Sequence, residues 1–143
     1  MDDPDRLQRF RTAQDEGGTY ARALGELRAG RKHSHWMWFI FPQIAGLGRS
    51  ATSQAYAISS LAQTQAYLDD PVLGPRLVEC ARILAETDRR TAEEIFGPID
   101  AIKLRSSMTL FARAERGNPV FEQVLDRYFD GIADHATERL LGR

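Results

Sequence analysis

The sequence predicts a mainly α-helical fold, a small multihelical single domain that spans residues 1–143. Two observations support this class: apolar residues recur at helical spacing along most of the chain, and residues typical of helix starts precede several of these stretches. The clearest apolar stripes lie at 73–84 and 120–129. With 43% hydrophobic content over 143 residues, the chain can bury roughly two thirds of its unfolded surface. Because no repeat or linker interrupts it, we expect one domain.

Two short amphipathic helices are predicted before an aromatic segment. Apolar residues recur at helical spacing over 7–13 and again over 20–27. The pair Gly17-Gly18 interrupts this pattern and Gly30 ends it. The segment Trp36–Phe41 has the length and aromatic content of a buried strand, but strict alternation is absent. We therefore expect at most a short extended segment near 36–41.

The later helices are marked by start signals. Ser60 and Thr91 open segments with capping-box spacing, in which a side-chain oxygen accepts from an amide of the first turn. Asp70 and Asn118 each place a capping residue before a proline at the first helical position. The predicted helices cover 60–69, 71–86, 92–96, 99–114 and 119–129, and Asp134 is expected to cap a short last helix.

Composition and charge exclude several classes of function. The formal net charge of −1, from 19 basic and 20 acidic residues, provides no field to hold a polyanion, so nonspecific nucleic-acid binding is disfavoured. No apolar stretch approaches the roughly 20 residues that span a bilayer, and the acidic amino terminus is unlike a signal peptide. We expect a cytoplasmic protein with no membrane association. The single cysteine, Cys80, lies on an apolar stripe, which favours core packing over a nucleophilic role.

The turn at 46–50 is the first candidate for ligand binding. Gly46 and Gly48 lack a Cβ, so their backbone amides can approach an anion closely. Arg49 adds a positive charge and Ser50 a hydroxyl. The alternative is a plain structural turn, because the segment has neither the Walker lysine nor a dinucleotide fingerprint.

The aromatic segment supplies the second group of candidates. Trp38 could stack on a planar ligand, and His35 or Gln43 could orient that ligand by hydrogen bonding. The alternative is that the aromatic rings fill the core. His33 and His35 share a face only in an extended segment, and no third ligand stands at a metal-binding spacing. We therefore predict no metal site and no cofactor.

The third group lies on the predicted helix at 99–114. Lys103 and either Ser106 or Ser107 fall on one face at spacing three or four, and that face could receive a phosphate. Arg105 is a further candidate cation on the same helix. The alternative is a solvated helix surface, or close helix packing at Ser106 and Ser107. No pair of acids stands out as catalytic, because caps and exposed helix faces explain the carboxylates. Catalytic residues are therefore left unassigned.

Several of these segments together resemble a widespread bacterial family of unknown function, DUF1810, whose members are sometimes labelled calpastatin-like. The resemblance lies in Ser34–Gln43, Gly46–Gly48, Tyr56–Ser60, Pro71–Gly74 and Lys103–Phe111, and so extends over nearly the whole chain. It implies a small, multihelical single domain and no established activity. The calpastatin label does not suit this sequence, because that name denotes a disordered, repeat-bearing protease inhibitor and this composition is globular.

A weaker similarity is to the NADAR superfamily of helical proteins, which is associated with NAD and ADP-ribose chemistry. The order of Ser53–Tyr56, Arg105 to Met108 and Asn118-Pro119 is similar to the order of elements in that superfamily. Some of its members hydrolyse N-glycosidic bonds. Gln54, however, stands where that superfamily has an acid, and a glutamine cannot act as a general acid or base.

These observations lead to three functional hypotheses. The first is a domain that binds a small anionic ligand of the nucleotide or ADP-ribose type. The second is an N-glycosidic hydrolase that acts on NAD or ADP-ribose derivatives, and the third is a protein-interaction module without a small ligand. The candidate binding residues are His35, Trp38, Gln43, Gly46, Gly48, Arg49, Lys103, Arg105 and Ser106.

Overall fold

The apolar stripes of the sequence form the inward faces of helices. The computed structural model describes residues 4–87 and 90–142. Its helices are α1 (Pro4–Asp15), α2 (Thr19–Ala29), α3 (Met37–Ile40), α4 (Ala51–Ala55), α5 (Leu61–Asp69), α6 (Leu73–Glu86), α7 (Ala92–Phe96), α8 (Pro98–Ala114), α9 (Val120–Phe129) and α10 (His135–Leu140). The mainly α-helical prediction is confirmed.

Helix α8 is the central helix of the fold. It packs against α5, α7, α9 and α10, while α6 packs against α9, α5 and α2. Phe111 of α8 lies at the centre, with its ring 5.3 Å from that of Tyr67 and 5.7 Å from that of Phe121. Ser106 and Ser107 are buried in the same helix, which is the close packing that their small side chains permit. The end of α8 that carries Lys103 is less enclosed and faces the site described below.

Local capping chemistry sets several of the predicted helix starts. Thr91 forms a complete capping box, since its Oγ1 accepts from Glu94 N at 3.0 Å and Glu94 Oε1 accepts from Thr91 N at 2.8 Å. Ser60 caps α5 through Gln63 N, but the Gln63 side chain accepts from the amide of Ser59. Asp134 Oδ2 accepts from Thr137 N at 2.9 Å and so caps α10.

The start of α6 differs from its prediction by two residues. Asp70 Oδ1 accepts from the amides of Val72 and Leu73, at 2.9 Å each. These bonds hold Pro71 and Val72 in a turn, so the helix begins at Leu73 rather than at Pro71. Asp70 therefore accepts from backbone amides near the helix start, but the residue that directly precedes the helix is Val72, so the prediction of Asp70 as the cap with Pro71 as the first helical residue was wrong.

The aromatic segment is helical rather than extended. The amides of Phe39 and Ile40 donate to Trp36 O at 3.0 and 3.1 Å, and Phe41 N donates to Met37 O at 2.9 Å. A run of six apolar residues fits a buried strand and a buried helical turn equally, so its pattern did not distinguish them. Among the described residues, extended pairing is confined to a parallel bridge between Ile44 and Ile58.

The chain between α2 and α3 is fastened by one carboxylate. Glu26 Oε1 accepts from His33 N at 2.7 Å, Ser34 N at 2.9 Å and Trp36 Nε1 at 2.9 Å. Glu26 Oε2 accepts from Ser34 Oγ at 2.7 Å. Burial alone would raise the pKa of Glu26, but these hydrogen bonds outweigh it and lower the pKa to about 2. The segment that carries Lys32 and His35 is therefore held in one conformation.

Within the described residues, no helix has both the length and the apolar character needed to cross a bilayer.

Candidate functional site

The glycine turn and helix α8 meet at a groove on the protein surface. The groove encloses a cavity of about 440 Å³. Six of the nine predicted binding residues line it: Trp38, Gln43, Gly48, Arg49, Lys103 and Ser106. The sequence did not indicate whether the Lys103 helix reaches the turn, and the packing of α8 brings them together.

One face of α8 forms a wall of the groove. Ile99, Ile102, Lys103 and Ser106 line the cavity, and their spacing of three, four and seven places them on a single stripe of the helix. Ile99 is 70% exposed and Ile102 is 65% exposed. Ser106 is buried at the base of this stripe, where its Oγ donates to Ile102 O at 3.2 Å. The wall therefore offers an apolar surface beside a cation.

Two lysines share one carboxylate at the edge of the groove. Asp100 Oδ1 lies 3.2 Å from Lys103 Nζ, and Asp100 Oδ2 lies 2.9 Å from Lys32 Nζ. Lys32 Nζ also donates to Ser34 O at 2.6 Å. The Lys32 side chain is only 8% exposed, so water screens this cluster incompletely.

A second cavity, of about 350 Å³, continues the groove toward the start of α8. Lys32 and His35 line it, and it shares Trp38, Ile99 and Lys103 with the first cavity. Gly46 instead lines a smaller cavity of about 80 Å³, on which Trp38 and Gly48 also border. Trp38 is thus the residue common to all three spaces.

The two tryptophans have different roles. Trp36 is buried in the core and its Nε1 donates to Glu26. Trp38 is partly exposed in the groove, and within the described residues its buried Nε1 has no hydrogen-bond partner. Lys103 Nζ lies 4.2 Å from the centroid of the Trp38 ring. Because the ammonium covers one face of the indole, a planar ligand cannot stack on that face while Lys103 stays there.

Two polar side chains at the groove are available to a ligand. The Arg49 guanidinium and the Gln43 side-chain amide make no hydrogen bond or ion pair within residues 4–87 and 90–142. Ser50 is already engaged, because its Oγ accepts from Ser53 N at 3.1 Å as the cap of α4. The turn therefore offers a cation and a glycine-lined surface, while its hydroxyl serves the fold.

Arg105 lies outside both cavities. Its Nε donates to Ile132 O at 2.8 Å and its Nη2 to Ala133 O at 3.3 Å, which ties α8 to the chain before α10. Its guanidinium also lies 5.9 Å from the Phe129 ring. The contacts of Arg105 are those of a structural residue. His35, by contrast, is exposed at the edge of the second cavity.

Sequence reasoning missed several residues of the groove: Lys32, Ile99, Asp100, Ile102 and Asp134. Asp100 lies three residues before Lys103, and this spacing is typical of an ion pair on a helix, so the sequence could have indicated Asp100. Lys32 had no such signal, because its partner Asp100 is distant in the chain. Within the described residues, no group of three or more His, Cys, Asp or Glu side chains could hold a metal ion.

Comparisons with known proteins assign the chain to a family. Residues 4–141 match the model of a protein family described as "Protein of unknown function (DUF1810)". The chain belongs to this family. A DUF1810 assignment agrees with the resemblance in the aromatic segment, the glycine turn and α8, and it establishes no activity.

A solved structure has the same fold as this DUF1810 protein. The crystal structure of the conserved hypothetical protein Rv1873 from Mycobacterium tuberculosis superposes with a TM-score of 0.94. It is 50% identical in sequence, and the similarity covers 99% of each chain. No curated protein matches the chain. The weaker similarity to the NADAR superfamily receives no support from these comparisons.

Proposed function

We propose that the groove of this DUF1810 protein binds a small organic anion of the nucleotide or ADP-ribose type. The observation that carries the proposal is that Arg49 and Lys103, from distant parts of the sequence, line one cavity of about 440 Å³ beside the exposed side chains of Ile99 and Ile102. Cavities of this size accommodate small organic ligands. The cations would bind the charge of the ligand and the isoleucines its apolar part.

Two polar side chains of the groove, those of Arg49 and Gln43, support binding of an anion because neither makes a hydrogen bond or ion pair within the described residues. Arg49 has no internal partner within the described residues, so a ligand need not break an ion pair to reach it. The Gln43 amide can donate to one ligand oxygen and accept from a ligand N–H. Since Lys103 covers one face of Trp38, we place the planar group of the ligand against Ile99 and Ile102.

Isothermal titration calorimetry with AMP, ADP-ribose and NAD tests this proposal. We expect at least one of them to bind with a Kd below 1 mM, and Arg49→Gln to weaken that binding. Arg82→Gln is the matched control, because Arg82 is exposed on α6 and does not line the groove. Failure of all three compounds to bind more tightly than millimolar refutes the proposal.

The carboxylates in the groove favour binding without cleavage over N-glycosidic hydrolysis. Both oxygens of Asp100 are ion-paired with lysines. Asp134, the carboxylate that lines the first cavity, caps α10 through Oδ2. A hydrolase needs a carboxylate or histidine that can give up or take a proton at the substrate. Incubation with NAD followed by chromatography should therefore show no released nicotinamide, and release that His35→Ala abolishes would establish the hydrolase.

The exposure of Ile99 and Ile102 favours a second candidate function, the docking of a protein partner on the groove. Exposed apolar side chains beside cations suit a partner surface with an acidic residue among apolar ones. Copurification followed by mass spectrometry tests it. The partner must be lost with Ile102→Gln and retained with Ile132→Gln, because Ile132 is 51% exposed but lies outside both cavities. A protein retained by both variants argues against docking here.

A further inference from the structure

We infer that the groove selects organic ligands that carry one negative charge, as a phosphodiester or a carboxylate does, over ligands that carry two or more. This inference rests on the proposed function and narrows its ligand class: among nucleotides, a phosphodiester with one charge should bind more tightly than AMP or ADP-ribose, which carry two. It depends on the charges that line the two joined cavities, on their burial, and on the position of Asp100 between two lysines.

The lining side chains leave a single positive charge unmatched. The cations are Lys32, Arg49 and Lys103, and the carboxylates are Asp100 and Asp134. With histidine counted as neutral, as in the formal charge of the whole chain, the described residues that line the groove carry a net charge of +1. A ligand with one negative charge neutralises the net charge of the groove. Any further negative charge on the ligand has no unmatched positive charge to pair with.

The charged side chains at the edge of the groove are largely buried, so the balance between their charges and the charge of a ligand affects binding strongly. The side chains of Lys32, Asp100 and Lys103 are 8%, 19% and 22% exposed. Charges in such surroundings interact more strongly than charges in water, and an ion that loses its water without gaining a partner is unfavourable. A second negative charge on the ligand would find both lysines already paired with Asp100. It would also lie near the carboxylates, which disfavours it directly.

Asp100 is therefore the residue that we expect to set charge selectivity. Its two oxygens pair with Lys32 and Lys103, so the Asp100 carboxylate already makes the ion pairs that a second negative charge of the ligand would need. Replacement by asparagine keeps the shape and removes the charge, which raises the net charge of the groove to +2. Arg49→Gln changes the charge in the other direction, and this exposed side chain has no partner to lose within the described residues.

Two matched series of ligands test the inference by calorimetry at pH 8, where a phosphomonoester carries two charges. The nucleotide series is adenosine, adenosine 3′,5′-cyclic monophosphate and AMP. The carboxylate series is 2-naphthoate and 2,6-naphthalenedicarboxylate. In at least one series we expect the wild-type protein to bind the singly charged member about fivefold more tightly than the doubly charged one. The series that shows this preference identifies phosphodiester or carboxylate as the source of the charge.

The variants provide the decisive comparison. Asp100→Asn should reverse the preference or reduce it at least about fivefold, and Arg49→Gln should weaken the charged ligands while leaving adenosine unchanged. Equal or tighter wild-type binding of the doubly charged ligand in both series overturns the inference and leaves the proposed function standing. If Asp100→Asn does not fold, the inference is still tested by the effect of Arg49→Gln and by the relative affinities of the wild-type protein for the singly and doubly charged ligands. Absence of binding tighter than millimolar throughout overturns both.

Discussion

Lys103 holds its ammonium 4.2 Å from the centroid of the Trp38 ring, and both residues line both cavities of the groove. A cation over an indole face contributes about 0.5 to 2 kcal/mol, with the larger values where water is excluded. The same ammonium is paired with Asp100. These two contacts position Lys103 before any ligand binds. Because the Trp38 indole is fluorescent, its emission can be used to detect a change at Lys103.

Lys103→Met should weaken binding of a singly charged ligand about tenfold, because it removes a partly buried cation while keeping a side chain of similar length. It should also change the fluorescence of Trp38, since the indole loses its charged neighbour. Calorimetry and emission spectra measure the two effects. Arg82→Met is the control, as Arg82 is exposed on α6 and should alter neither. Unchanged affinity in Lys103→Met would argue against a role for this lysine in binding.

Ile102→Gln should reduce ligand affinity by about threefold to tenfold through the loss of apolar contact. Because Ile102 is 65% exposed, the free energy of unfolding should change by no more than about 0.5 kcal/mol. Ile132→Gln, a change at a residue outside the cavities, should affect neither quantity. Chemical denaturation and calorimetry distinguish these outcomes. A large loss of stability in Ile102→Gln would mean that its side chain serves the core rather than the groove.

Elements whose signals are local could be predicted from the sequence. Helix α7 is the clearest case, because the residues that mark its start, Thr91 and Glu94 of the capping box, lie within four residues of one another in the sequence. The segment 36–41 could not be assigned in this way. Its helical hydrogen bonds to Trp36 O and Met37 O depend on how the surrounding helices bury it, and its apolar run fits either class.

The groove was predictable only in part, because its residues meet through tertiary packing. Lys103 and Arg105 are two residues apart and so point about 200° from one another around the helix. The sequence could show that they differ in direction, but not which one faces the glycine turn. The packing of α8 directs Lys103 to the turn and Arg105 to the carbonyls of Ile132 and Ala133.

Glu26→Gln should lower the free energy of unfolding by about 1 to 2 kcal/mol near neutral pH, since a neutral amide accepts fewer and weaker hydrogen bonds than the carboxylate. The pKa of Glu26 falls from 4.5 to about 2 on folding. The carboxylate therefore contributes stability that is complete above pH 4.5 and is lost as the pH falls toward 2. Denaturation across this range should show the wild-type advantage shrinking accordingly.

Glu86→Gln is the control for the Glu26 measurement. Glu86 is exposed at the end of α6, so its replacement should change stability by no more than about 0.5 kcal/mol. A difference between wild type and Glu26→Gln that stays constant from pH 5 to pH 2 would contradict the proposed role of the four hydrogen bonds. The same variant should weaken ligand binding, because Glu26 holds the segment that carries Lys32.

Gly74→Ala should destabilise the protein by about 3 kcal/mol or more, because the junction of α5 and α6 has no room for a methyl group. A Cβ at Gly74 would lie 2.0 Å from Leu68 O and 2.9 Å from Leu68 C, both backbone atoms. Relief would require the two helices to separate. Gly25→Ala is the matched control: a Cβ there meets nothing within 4 Å, so the helical preference of alanine should stabilise α2 by about 0.5 to 1 kcal/mol. Thermal and chemical denaturation should thus give opposite signs for two identical substitutions, and equal effects would mean that the α5–α6 contact is looser than the structure shows.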